Sequence, residues 1–191
     1  MENSDDNDIA LKILSESQQR LAARLKLFRL LSINAEEYPE SSFEEGKEII
    51  ASYCLCEKVT FLTRDIPRAV PTPIIKFMVT TAMILLPTLI RGGHMVFELI
   101  EDKEMLTLQC TGQGGRIALN ETVAAWFLGE KMLSSRTVLC FFAEMFANSC
   151  GAHLHLEQTP EKVTFLWTQR RDSFKTELNA VVAQQDRARD S

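Results

Sequence analysis

What this sequence has little of narrows its uses before any motif is read. It has no excess of basic residues: 21 Lys and Arg stand against 26 Asp and Glu, for a formal net charge of −5 and a pI near 5.3. The basic stripe of a nucleic-acid binder is missing, so no nucleic-acid partner is expected. It also lacks the run of ~20 apolar residues that a membrane-spanning helix requires. The most apolar stretch ends within Phe77 to Ile90 and is broken by Thr80, Thr81, Pro87 and Thr88, so it reads as a buried core helix and no membrane partner is expected. The first residues, MENSDDNDIA, carry acids where an export signal needs bases, with no apolar run behind them, and a cytoplasmic location is expected. The five cysteines, Cys54, Cys56, Cys110, Cys140 and Cys150, are odd in number and scattered. They read as small reduced core residues rather than a disulfide framework.

What is present is an ordinary globular composition, 46% apolar and 25% charged over 191 residues, enough for one domain and an appendage. Asp8 is placed to cap a helix from Ile9 to about Ile33. Along it Leu11, Leu14, Gln18, Leu21, Leu25 and Phe28 recur at alternating spacings of three and four, an apolar seam that wants a partner helix. Lys12, Glu16, Gln19, Arg20 and Lys26 fall on the other side. After a loop from Asn34 to Glu40, Ser42 and Glu45 make a capping-box pattern for a second helix through Phe43, Ile49, Ile50 and Tyr53. Lys58 to Thr63 reads as a strand. Thr72 and Pro73 open a third helix, Ile74 to about Leu86, which Pro87 halts.

Beyond Gly92 and Gly93, His94–Ile100 and Glu104–Cys110 read as a hairpin, followed by TGQGG, a flexible turn by composition. Asn120 opens a helix through Phe127 that Gly129 closes. Ser134 or Ser135 opens another, Arg136 to Ser149, closed by Gly151. Ala152–Leu156 and Lys162–Trp167 form a second hairpin, and the polar tail from Arg170 onward, ending in QQDRARDS, is expected to fray. Strands in antiparallel pairs, without regular βαβ units, predict an α+β two-layer sandwich. Its sheet is mixed and mostly antiparallel, of about five strands, with helices on one face and a helical arm in front. The expected boundaries are 1–40 for the arm, 41–169 for the domain and 170–191 for the tail.

The segment from Arg136 through Leu139, Phe142 and Phe146 to Gly151, Leu154, Leu156, Val163, Phe165 and Trp167 is similar to the closing helix, glycine and hairpin of the histidine-kinase ATPase fold. From about Ile13 onward the chain more closely resembles ChpT-type bacterial histidine phosphotransferases, in which a helical-hairpin dimerisation domain precedes a degenerate ATPase-like domain. Arg20, Leu21, Ala22, Leu25, Leu27 and Arg29 match the family's second bundle helix. Ile75 to Leu86, Pro87, Gly92, Gly93 and the following strand match its central segment.

The resemblance implies a protein of a two-component phosphorelay. A histidine takes phosphate from one receiver aspartate and returns it to another, the receiver supplies Mg²⁺, and the ATPase-like domain serves docking. Working kinases of this fold carry an asparagine on the central helix, a DxGxG turn and a glycine-rich loop. Here the helix reads IIKFMVTTAMILL, the turn is Thr111, Gly112, Gln113, Gly114 and Gly115 without Asp, and Lys131, Met132, Leu133, Ser134 and Ser135 occupy the loop position. Phosphate cradling needs convergent backbone N–H groups and Mg²⁺ needs oxygen ligands, so ATP binding is not expected. Only eight polar and acidic residues precede the part that matches the second bundle helix. The acceptor helix is therefore expected to be missing, either because Met1 is internal to a longer gene or because the chain is a truncated variant. No catalytic histidine is carried over.

Several constellations have bland readings beside the sharp ones. His153 and His155 share a strand face at a spacing compatible with metal, but no acid or cysteine stands near, and ordinary hairpin residues are the better reading. Cys54 and Cys56 have no second pair at zinc-like spacing. Gly112 to Gly115 lacks the context of a phosphate loop. No metal and no cofactor are therefore expected. Arg20, Arg24 and Arg29 are the candidate partner-binding residues, since a basic helix beside a bundle seam would steer an acidic receiver pocket and fork onto phosphate oxygens. The alternative is a solvated face with pairs such as Glu16 with Arg20. Leu14, Leu21, Leu25 and Phe28 are the candidate dimer seam, and response-regulator receiver domains and a second copy of the chain are the expected partners. A noncatalytic module that binds a receiver or sensor is the competing function, and a genuine ATPase a third.

Overall fold

The computed structural model describes residues 2–32, 43–68, 70–176, 179–180 and 183. The first helix, α1 (Glu2–Ser32), begins earlier than expected, and Asp8 lies inside it rather than at its cap. Extending a formed helix costs far less than nucleating one, so the helix runs on past its expected start. α2 (Phe43–Cys56) starts with Glu44 and Glu45 in its first turn. The expected cap Ser42 and the loop 34–40 lie outside the described residues. Ala23, Leu27 and Leu30 of α1 are buried and join the core that Phe43, Ile50 and Tyr53 of α2 also enter. On a 3.6-residue repeat they lie on the side opposite the seam.

β1 (Val59–Arg64) leads to α3 (Thr72–Leu85), which has proline in its first turn as expected and passes into a 3-10 turn, Leu86–Thr88. Every residue of α3 from Phe77 to Leu85 is buried, as its uncharged sequence requires. The buried hydroxyls of Thr80 and Thr81 donate to the carbonyls of Lys76 and Phe77 at 2.7 and 2.8 Å, so they are satisfied within the helix. The hairpin β2 (Gly93–Glu101) and β3 (Met105–Gln113) follows, then α4 (Glu121–Phe127), α5 (Val138–Ser149), and the hairpin β4 (His153–Gln158) and β5 (Lys162–Arg170). Asn120 caps α4 by accepting from the Thr122 amide at 2.9 Å. Gly151 follows α5 at φ +63°, the left-handed conformation that ends helices.

The five strands form one sheet in the order β1-β2-β3-β5-β4, with β1 parallel to β2 through the α3 crossover and the remaining pairs antiparallel. Met95, Phe97 and Leu99, then Leu106, Leu108 and Cys110, then Val163, Phe165 and Trp167 turn one face of the sheet to the core. Leu62 and Ile100 stay exposed. This is the expected α+β sandwich with a mixed sheet and a preceding helix.

Two expectations need correction. Thr111, Gly112 and Gln113 are not a flexible turn. They continue β3, with Gly112 paired to Met95 on one side and Val163 on the other. A Cβ on Gly112 would lie 3.4 Å from Leu85 Cδ2, so glycine lets the end of α3 sit close on the strand. The chain just past Arg170 is also ordered: 171–176 is helical, Phe174 is buried, and Arg171 meets Glu101 at 3.0 Å. The segment QQDRARDS lies outside the described residues.

Candidate functional site

Two surfaces carry the chemistry worth considering: the outer face of α1, and the cleft between the end of α3, α4 and the start of α5. On α1 the seam stands free of the fold. Leu14, Leu21, Leu25 and Phe28 are all exposed, Leu25 at 59% and Phe28 at 50%, together with Ile9, Leu11 and Ile13. One helix thus presents two apolar faces, one consumed by the domain and one open, and the residue types alone do not tell them apart.

The three arginines divide. Arg24 donates from Nε to Tyr53 Oη at 3.2 Å and lies over the ring, 5.8 Å from its centroid. That hydrogen bond, with the charge interaction to Tyr53, holds its guanidinium pKa above the ordinary value. Arg20 turns to Glu57 at 3.7 Å rather than to Glu16. Both therefore brace the arm against α2, a role that the sequence reading missed. The signal for it was the Ala23, Leu27, Leu30 spacing that turns this side of α1 to the domain. Arg29 is exposed in the last turn.

The cleft lies between the end of α3, α4 and the start of α5. Met83, Ile84, Pro87 and Thr88 form one wall and Asn120, Val123, Arg136 and Leu139 the other, around about 330 Å³. A second cavity of about 790 Å³ opens beside it between α4 and the segment 130–137, and the two share Arg136. That segment is pinned rather than glycine-rich. Thr137 Oγ1 donates to the Met132 carbonyl at 2.7 Å and accepts from the Ser134 amide at 2.9 Å, and Lys131 meets Glu144 at 3.0 Å. α5 consequently starts at Val138, two residues later than expected. Leu128, Met132 and Leu133 are left exposed along this stretch of chain, apolar residues that the sequence alone does not single out.

The histidines fall elsewhere. His94 is in β2, and His153 and His155 are on the exposed side of β4, opposite Thr168 and Leu166. Among the described residues no group of three His, Cys, Asp or Glu is arranged to hold a metal. None of the five cysteines is in a disulfide. Burial pushes Cys54 and Cys140 up to about 12 and Cys110 well above the usual thiol range, so these three stay protonated near neutrality. Among the described residues no helix is long and apolar enough to cross a membrane.

The sheet order, the buried α3, and the closing helix and hairpin define a domain of the histidine-kinase ATPase-like class. Within that class the chain belongs to the histidine phosphotransferase C-terminal domain family, whose match spans residues 43–162. Among solved structures it is similar to a bacterial phosphotransferase, 17% identical, with a TM-score of 0.69 over 84% of this chain and 79% of that one. It also resembles the nucleotide-free catalytic domain of histidine kinase ThkA (12% identity, TM-score 0.53, covering 73% of this chain and 94% of that one). A third likeness is to the histidine kinase domain of a blue-light-activated kinase from Erythrobacter litoralis (10%, TM-score 0.51, 89% and 86%). At these identities the structural likenesses establish the fold. No curated protein sequence matches the chain.

Proposed function

We propose that this chain is a ChpT-like histidine phosphotransferase, or its C-terminal part, that docks response-regulator receiver domains in a bacterial two-component phosphorelay without hydrolysing ATP. In this reading it acts in the cytoplasm as a homodimer. Residues 1–40 form the bundle-derived arm, 41–169 the degenerate ATPase-like docking domain and 170–191 an appended tail. The observation that carries the reading is the open seam of Leu14, Leu21, Leu25 and Phe28 on a helix whose opposite face is already spent on a domain of the phosphotransferase family. Pairing with a second copy would close that seam into a bundle.

Arg29 is the freest of the three arginines to meet an acidic receiver pocket. Arg20 and Arg24 contribute to partner binding mainly by holding the arm. The absence of Asn and acids from α3, and the pinned, glycine-free 130–137 segment, argue against a Mg-nucleotide site. A receiver domain mixed with the chain should bind, and Arg29→Glu should weaken that binding at least tenfold at low salt. Unchanged binding would remove the arm from the docking surface.

The noncatalytic reading draws on one observation of its own: α1 carries no histidine, and all three histidines of the chain belong to β2 and β4. On that reading this chain binds a receiver or sensor but accepts no phosphate. Incubation with a radiolabelled phospho-receiver separates the two, since label on this polypeptide would overturn the noncatalytic reading.

A further inference from the structure

The cleft of about 330 Å³ is within the size range of small-molecule sites, at its lower end. Its walls are chiefly apolar, from Met83, Ile84, Pro87, Val123 and Leu139, and Arg136 is the single charged residue among the described residues that line it. Arg136 has no ion pair among the described residues. The nearby Lys131 is committed to Glu144 at 3.0 Å, and Glu130 lines only the larger neighbouring cavity. The Thr137 hydrogen bonds to Met132 and Ser134 belong to the wall of the larger cavity, and they hold the backbone that carries Arg136 into the cleft.

We propose that this cleft binds a small aliphatic monocarboxylate, its chain among Met83, Ile84, Val123 and Leu139 and its carboxylate on Arg136. A planar guanidinium is matched to a carboxylate through two parallel N–H···O bonds. One uncompensated cation with no acidic metal ligands beside it suits a single negative charge. It does not suit the several charges of a Mg-nucleotide, which calls for convergent amides and oxygen ligands. Asn120 and Thr88 stand on opposite walls, where Asn120 Oδ1 already caps α4 and the Thr88 hydroxyl donates to the Leu85 carbonyl at 2.6 Å. Arg136 therefore supplies the charge that orients a ligand, with the Asn120 side-chain amide on the same wall. The proposal stands apart from the phosphorelay reading: receiver docking can fail and this site remain, or the reverse.

The test is titration of the full chain with sodium octanoate, followed by calorimetry and by amide chemical shifts. Saturable one-to-one binding is expected, with shifts at Ile84, Val123, Arg136 and Leu139, at least tenfold tighter than acetate or 1-octanol. Arg136→Gln removes an exposed side chain that has no ion pair among the described residues. It should lower octanoate affinity at least tenfold without moving the melting temperature, while Lys131→Gln changes it less than twofold. Failure to saturate at millimolar octanoate, equal binding of 1-octanol, or an unaltered Arg136→Gln variant would overturn the proposal. Displacement of octanoate by equimolar Mg-ATP would also overturn it, and would return the cleft to nucleotide.

Discussion

At Gly93 the backbone holds φ +145°, and a Cβ built there would strike the Gln113 carbonyl oxygen across the β2–β3 ladder. A side chain at this position meets both an unfavourable conformation and a rigid backbone neighbour, so Gly93→Ala should cost about 2–4 kcal/mol, read as a lowered urea midpoint. The buried thiols make a second residue-scale prediction. Cys54 and Cys140 are held up to about 12 in the folded chain, whereas an unfolded thiol ionises near ~8.5. The stability that comes from keeping them neutral is complete below that pH and is lost as pH rises toward 12, because the unfolded state sheds protons first. The urea midpoint should therefore fall between pH 8 and pH 10, and fall less steeply in Cys54→Ala. At this scale the sequence was legible where one residue decides its own surroundings: Asn120 as a cap and Gly151 as a stop were readable. Gly112 was not, because its role depends on Leu85 arriving from another element.

Among the elements, α1 shows best how far periodicity reaches. Its three-and-four spacing announced a seam, and the seam is exposed. The same spacing cannot say that Ala23, Leu27 and Leu30 are the residues the domain claims, since two weakly apolar stripes on one helix compete only once α2 and α3 are in place. Leu27→Ala should cost about 2–5 kcal/mol, the range for emptying a buried leucine site, and should speed hydrogen exchange along the last turns of α1. Leu25→Ala should leave the fold within about 0.5 kcal/mol. Leu21→Glu with Leu25→Glu should instead act on assembly, giving a monomer by sedimentation with helix content retained; a dimer that survives both changes would disprove pairing through the seam. The start of α5 slipped by two residues for a similar reason. Ser134 does accept from the Arg136 amide at 3.2 Å as a cap would, but its own amide donates to Thr137 Oγ1, which reaches back to Met132, and 135–137 stay a turn before the helix.

For the whole molecule, the defining contrast is a kinase-like scaffold whose cleft is lined by Met83, Ile84 and Val123 instead of ligands for a metal-bound triphosphate. Mg-ATP at millimolar concentration should leave the melting temperature unchanged within error, since a ligand binding only the native state stabilises it by mass action. An upward shift that saturates would refute the proposed loss of nucleotide binding. The order of helix, strand, helix, hairpin, two helices and hairpin was readable because each element carries its own period and its own stop signals. Which charged residues stand free of the fold was not readable in that way. Arg20 and Arg24 look like a free basic face in one dimension and prove to be joined to Glu57 and Tyr53 in three.

The sequence by itself determined the local states. The uncharged run of α3 had to be buried, the alternating β-rich segments had to form a sheet, and the absence of Asn, acids and a glycine-rich loop was decided by composition alone. Tertiary structure decided everything that depends on two distant segments meeting: which stripe of α1 is consumed, that β3 runs on through Gly112, that the cleft between α3 and α5 is apolar with Arg136 at its edge. The physical reason is that hydrogen-bonding period and chain stiffness are properties of neighbours in sequence. Burial and charge pairing are properties of neighbours in space, and only the packed chain selects them.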